Sequence, residues 1–208
     1  MIVRKFISLL AQKIYKQHYD LLKGRLLSSY SGYNFQDSCQ RNIYLERLLI
    51  SAEDHRFRYH IGFDIIAIIR AFRNRVLYSK IEGASTIEQQ LVRVLIKRFE
   101  RNPRRKIREI FLATTLAYLI PRNQIPILYL YNAYYGTNMN GLQQILKKFQ
   151  IDYVNSVTLE SAAEIVARLK YPEPEKHNEK RSLQIQYRKN HILNLYSRHS
   201  SRRLFKVY

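Results

Sequence analysis

The stretch Glu53-Asp54-His55-Arg56-Phe57-Arg58-Tyr59-His60-Ile61-Gly62-Phe63-Asp64 decides how this chain is read. It follows the apolar helical run YLERLLISA at 44–52, so Glu53 and Asp54 stand at the end of a packed element, ahead of an aromatic and glycine loop. A carboxylate held there beside apolar side chains has a raised proton affinity and can act as a general base. The same residues admit an architectural reading, with Asp54 and Asp64 as helix caps, Glu53 solvated and His60 a hydrogen-bonded structural residue. Taken alone, the stretch leaves both open.

Three further segments carry polar groups beyond what a helical scaffold requires. In Gly83-Ala84-Ser85-Thr86-Ile87-Glu88-Gln89-Gln90, both Thr86-x-x-Gln89 and Ser85-x-x-Glu88 satisfy the capping-box pattern. The adjacent Gln89 and Gln90 exceed what capping needs and suit hydrogen bonding to a sugar or phosphate. In Arg104-Arg105-Lys106-Ile107-Arg108-Glu109, cations surround one carboxylate at a helix start. This is either a solvated basic face or a clamp for an anionic leaving group. Glu109 falls on the same helical side as Arg105 and Lys106, so the two can pair with it. The fourth segment, RNQIPILYLYNAYYG at 122–136, reads by itself as aromatic core.

Around these segments the periodicity is helical, with no convincing run of alternating strands. Helices are expected near 3–28, 41–52, 64–79, 86–100, 104–120, 123–134, 140–149, 158–169 and 178–198. Asp64, Thr86 and Thr158 are start signals, and Pro103, Pro121 and Pro172 are stops. Ser28–Gln40 reads as the longest loop. The expected fold class is all-α.

Composition narrows the rest. The 208 residues are 46% hydrophobic, enough to fill a core, which excludes wholesale disorder. One Cys, Cys39, excludes a disulfide framework and a thiolate-rich zinc module. Thirty-six Lys+Arg against 16 Asp+Glu give a net charge of +20, a surface that seeks phosphate in nucleic acid, anionic lipid or a diphosphate substrate. No segment reads as a transmembrane helix. The apolar run Ile110–Pro121 falls well short of the about 20 residues a span needs. The N-terminus, MIVRKFISLLAQKIYKQ, lacks a clear signal-peptide core. Its apolar positions Ile2, Val3, Phe6, Ile7, Leu10 and Ile14 suit a basic amphipathic helix, lying on an anionic membrane or packed on the domain's own core.

Order and spacing join the four segments. They resemble the peptidoglycan glycosyltransferases, the domain shared by class A penicillin-binding proteins and monofunctional transglycosylases. The family's ED-x-x-F-x-x-H-x-G-x-D is matched by Glu53, Asp54, Phe57, His60, Gly62 and Asp64. Its G-x-S-T-I-x-Q-Q-L is matched by Gly83, Ser85, Thr86, Ile87, Gln89, Gln90 and Leu91, and its R-K-x-x-E by Arg105, Lys106 and Glu109. The fourth motif is looser. Arg122 replaces the usual Lys, and Tyr131 stands where Asn is preferred, unless a one-residue shift lets Asn132 serve. Glu88 replaces the usual Thr, Arg93 the usual Lys and Val94 the usual Asn. The resemblance covers about Asn42 to Leu195.

The resemblance implies a lysozyme-like bilobed domain over 41–196, with a basic arm and loop over 1–40 and a basic tail over 197–208. It implies polymerisation of lipid II into β-1,4-linked glycan strands with release of undecaprenyl diphosphate. Glu53 would be the general base, and Arg105 and Lys106 would neutralise the leaving diphosphate. Glu109 would orient those cations or a divalent metal. Ser85, Thr86, Gln89 and Gln90 would line the donor cleft, Phe57, His60 and Asp64 would set the loop that aims Glu53, and Asp54 and Arg93 would join these residues in binding substrate. A divalent cation, Mg or Mn, is allowed and not required. The implied partners are lipid II, the growing strand, an anionic membrane surface, and a transpeptidase or membrane-anchored cell-wall protein. The implied location is the outer, periplasmic face of the bacterial inner membrane. The alternative is a family member without turnover that binds lipid II or assists assembly. A nucleic-acid binder rests on charge alone.

Overall fold

The structure, a computed structural model, describes residues 2–31, 41–79, 83–100 and 102–201. Cys39, most of the expected 28–40 loop and the end of the expected tail lie outside them. Among the described residues the fold is all-α, with ten α-helices and one small antiparallel hairpin. The chain forms two compact units, one from Met1–Ser28 and Arg56–Ile125, the other from Ser29–His55 and Pro126–Tyr208.

In the first unit, α1 (Ile2–Ile14) lies on α6 (Pro103–Leu119). Ser8 and Ala11 are buried there, and Arg4 donates to the Ala117 carbonyl at 3.4 Å. Of the two settings expected for this helix, core packing accounts for one face, while Ile2, Val3, Phe6 and Leu9 remain exposed. The single helix expected over 3–28 bends at Tyr15, whose ring meets Phe111 of α6 edge-on at 5.8 Å. The chain continues as α2 (Lys16–Ser31), anchored by buried Leu22 and Leu26. The helix expected over 86–100 is α5 (Ile87–Ile96), which stops because Lys97 turns left-handed at φ 52°. Its buried Leu91, Val92, Leu95 and Ile96 form one helical stripe, and α5 packs against α6, where Leu112, Ala113 and Leu116 are buried. Helix α4 (Ile65–Tyr78) is capped by Asp64, whose Oδ1 accepts from the Ile66 and Ala67 N–H groups at 2.9 and 3.1 Å. Ala67 alone of α4 is buried, and Ile65, Ile66, Ile69, Phe72, Val76 and Leu77 are exposed.

In the second unit, α3 (Ile43–Glu53), α9 (Leu159–Lys170) and α10 (Glu179–Ser201) pack mutually. Leu45, Leu48 and Leu49 are buried with Ala162, Ala163, Val166, Ile185 and Ile192, and the alanines of α9 permit close approach. Asn42 starts α3 by accepting from Tyr44 and Leu45 N–H, and its Nδ2 donates to the Val157 carbonyl at 3.0 Å. Helix α7 (Ile125–Asn132) leads into strands β1 (Tyr134–Gly136) and β2 (Met139–Asn140), then α8 (Leu142–Lys148). This hairpin departs from the all-helical expectation because strands so short show no alternation to read. It also delays the helix expected from 140, since Gly141 takes φ 85° before α8.

Candidate active site

On the second unit, Glu53 is the last residue of α3 and Asp54 closes the helix, its N–H bonding the Ile50 carbonyl. Arg188 of α10 donates through Nη2 to Glu53 Oε1 at 2.9 Å and to the Ala52 carbonyl at 3.0 Å. A guanidinium therefore fixes the carboxylate where the sequence pointed to apolar surroundings. Arg188 escaped the sequence reading. Its signal is spacing: it lies three residues after Ile185 and four before Ile192, a cation on a core-facing stripe. In the fourth motif Tyr131 is buried, and Asn132 donates to the Leu128 carbonyl at 2.8 Å and receives Ser29 Oγ at 3.3 Å.

On the first unit, the loop after Glu53 and Asp54 is built tightly. Phe57–Tyr59 makes one 3₁₀ turn, Phe57 is buried, and its ring meets His60 edge-on at 6.1 Å. Gly62 takes φ 121°, and a Cβ there would lie 2.8 Å from the α6 backbone at Ala113 and Thr114, so only glycine lets the loop rest on that helix. Thr86, the N-cap of α5, donates from Oγ1 to the Gly62 carbonyl at 2.8 Å and accepts from Gln89 N–H at 3.3 Å. Asp64 both caps α4 and receives Arg56 Nε at 2.8 Å. Burial pulls the Asp64 carboxyl upward, but the Ala67 N–H and Arg56 outweigh it and hold it below its ordinary value.

The second motif and the third meet in a cation cluster. Lys106 Nζ donates to Gln89 Oε1 at 2.6 Å and to Ser85 Oγ at 3.0 Å. Glu109, buried on α6, accepts from Arg93 Nε at 3.0 Å and Nη2 at 3.3 Å, and from Arg105. Asn102 caps α6 through the Arg105 N–H at 2.7 Å. Burial lowers Lys106 to about 8; Glu109 opposes the shift, and Arg93 and Arg105 reinforce it. Arg93, Arg105 and Lys106 around one carboxylate leave a net positive site that favours an anion. Thr86 and Gln89 are buried and serve as supports, whereas Ser85 and Gln90 keep partial exposure. Both Glu109 oxygens face guanidinium groups, so its donor set does not fit a divalent cation.

These features define an all-α domain with a guanidinium-held carboxylate on one unit and an anion-directed cation cluster on the other. A family model described as Transglycosylase matches residues 35–197, and the chain belongs to that family. Over 95 residues it is 40% identical to a monofunctional glycosyltransferase of Staphylococcus epidermidis, covering 46% of this chain and 35% of that protein. It is 31% identical over 140 residues to a biosynthetic peptidoglycan transglycosylase of Nitrosospira multiformis, 67% of this chain and 60% of the relative. Penicillin-binding protein 1A of Rickettsia bellii is 30% identical over 153 residues, 72% of this chain and 19% of the relative. The chain thus spans less than two thirds of the length of each of these relatives.

Proposed function

We propose that the chain is a peptidoglycan glycosyltransferase that polymerises lipid II and releases undecaprenyl diphosphate. The observation that carries this reading is the Lys106 site, where Ser85 and Gln89 hold a partly desolvated ammonium beside the Arg93–Glu109–Arg105 group. Such a site suits the charge of a departing diphosphate. Glu53 takes the proton from the acceptor's 4-hydroxyl as that oxygen attacks the anomeric carbon, and the carbon–diphosphate bond breaks with inversion. Arg105 and Lys106 receive the developing negative charge.

The proposed site of action is the outer face of a bacterial inner membrane. No helix among the described residues is long and apolar enough to cross a membrane. Exposed apolar residues on α1 and α4, together with a net charge of +20, support attachment at an anionic surface. A transpeptidase acting on the new strands belongs to the same proposal.

Labelled lipid II in detergent tests the reading, with products resolved by strand length. Glycan strands are the expected result. Lipid II binding without strands would replace the polymerase with a binder.

Arg188 acts in this scheme as a positioning residue. Arg188→Ala is expected to lower kcat about 10- to 100-fold, the range for a hydrogen bond to a charged group. KM should stay within about twofold, and Arg188→Lys should recover part of the loss. A change confined to KM would remove Arg188 from that role.

A further inference from the structure

We propose that Glu88 and Arg122 form a mutually dependent pair that holds the Phe57–His60 turn, each tolerated because the other is present. Glu88 lies in the first turn of α5 with 0% exposure, where an ionised carboxylate is costly unless a cation and hydrogen bonds meet it. Arg122, in the 3₁₀ turn Arg122–Gln124, brings Nη2 to 3.3 Å from Glu88 Oε1. The same guanidinium donates to the Phe57 and His60 carbonyls, and its Cζ lies 4.6 Å from the Phe57 ring centroid.

His60 is a neighbour of the pair: its Nδ1 lies 3.9 Å from Glu88 Oε1, beyond hydrogen-bond distance, and 3.3 Å from the Gly62 N–H. The charge on Glu88 is thus met by Arg122, whose planar fork spans one carboxylate and two carbonyls. A lysine at 122 presents a compact ammonium that cannot copy that geometry. A threonine at 88 leaves the guanidinium facing the turn without its counter-charge. Two of the positions at which the sequence departs from the motif pattern are therefore one feature, and the negative charge of Glu88 is spent on the turn, not on a bound diphosphate.

The test is a double-substitution cycle with Glu88→Thr, Arg122→Lys and the pair combined, plus Glu88→Gln to keep the shape without the charge. Amide hydrogen exchange across residues 57–62 reads the turn directly. Each single variant, Glu88→Gln included, is expected to exchange faster there. The combined variant should fall short of the product of the two singles by about 2- to 150-fold, the coupling range for contacting residues. Strand synthesis is the second readout and rests on the proposed function: kcat should drop in each single variant and partly return in the pair. Multiplicative effects on exchange, or no change with Glu88→Thr, would overturn the pair. Coupled exchange with no strand synthesis in any form, wild type included, would keep the pair and overturn the polymerase reading instead.

Discussion

Glu53→Gln is expected to reduce strand synthesis about 10²–10⁴-fold, the contribution of a positioned general base. The substitution is close to isosteric, and the amide oxygen can still accept from Arg188, so α3 and α10 should keep their packing. What disappears is the ability to take a proton. Lipid II binding should survive almost unchanged, which separates a lost base from a lost site. Product formation within tenfold of wild type would show that the proton leaves to another group.

Lys106→Gln carries the second large effect. Removing a preorganised cation from the site of developing charge costs about 10²–10³-fold in kcat, by analogy with the loss of one oxyanion donor. The lowered proton affinity gives this variant a signature of its own. In the free protein Lys106 loses its charge as pH rises through about 8, so diphosphate affinity should weaken from there upward. Lys106→Gln should show weak, flat binding across that range. The linkage to stability runs the opposite way. The unfolded chain binds the proton more tightly, so stability associated with this group rises between about 8 and the ordinary lysine value of 10.5. At neutral pH the ammonium is held at a cost. Lys106→Gln should then unfold at an unchanged or higher temperature while losing activity. A lowered unfolding temperature would point to damaged packing and remove the argument.

Much of the architecture was legible because helix ends are written locally. Asp64, Thr86 and Thr158 cap α4, α5 and α9 as their side chains suggested, whereas Pro103, expected as a stop, is the first residue of α6, where its missing N–H costs nothing. The pairing of Glu109 with Arg105 follows from helical spacing and is present. What the sequence could not show depends on distant partners. Arg188 meets Glu53 across 135 residues, and nothing near either one announces the other. Tyr15, where the helix bends, meets Phe111 from a distant helix. Glu88 and Arg122 look like unrelated irregularities until the fold brings them into contact. The residues of the motifs divide in the same way: spacing places Ser85, Gln89 and Lys106 in separate motifs, and only the fold brings them together and buries Thr86 while Ser85 keeps partial exposure.

The bare apolar strip of α4 has a consequence for the protein away from any bilayer. In water, Ile65, Ile69, Phe72 and Val76 form a sticky surface, and what keeps two such surfaces apart is mutual repulsion between molecules that each carry +20. That repulsion reaches about 10 Å at 0.1 M salt and only about 3 Å at 1 M. Salt, commonly added to calm a basic protein, removes the barrier while leaving the adhesive intact. Dispersion of this chain therefore depends on low ionic strength or on an amphiphile that covers the strip.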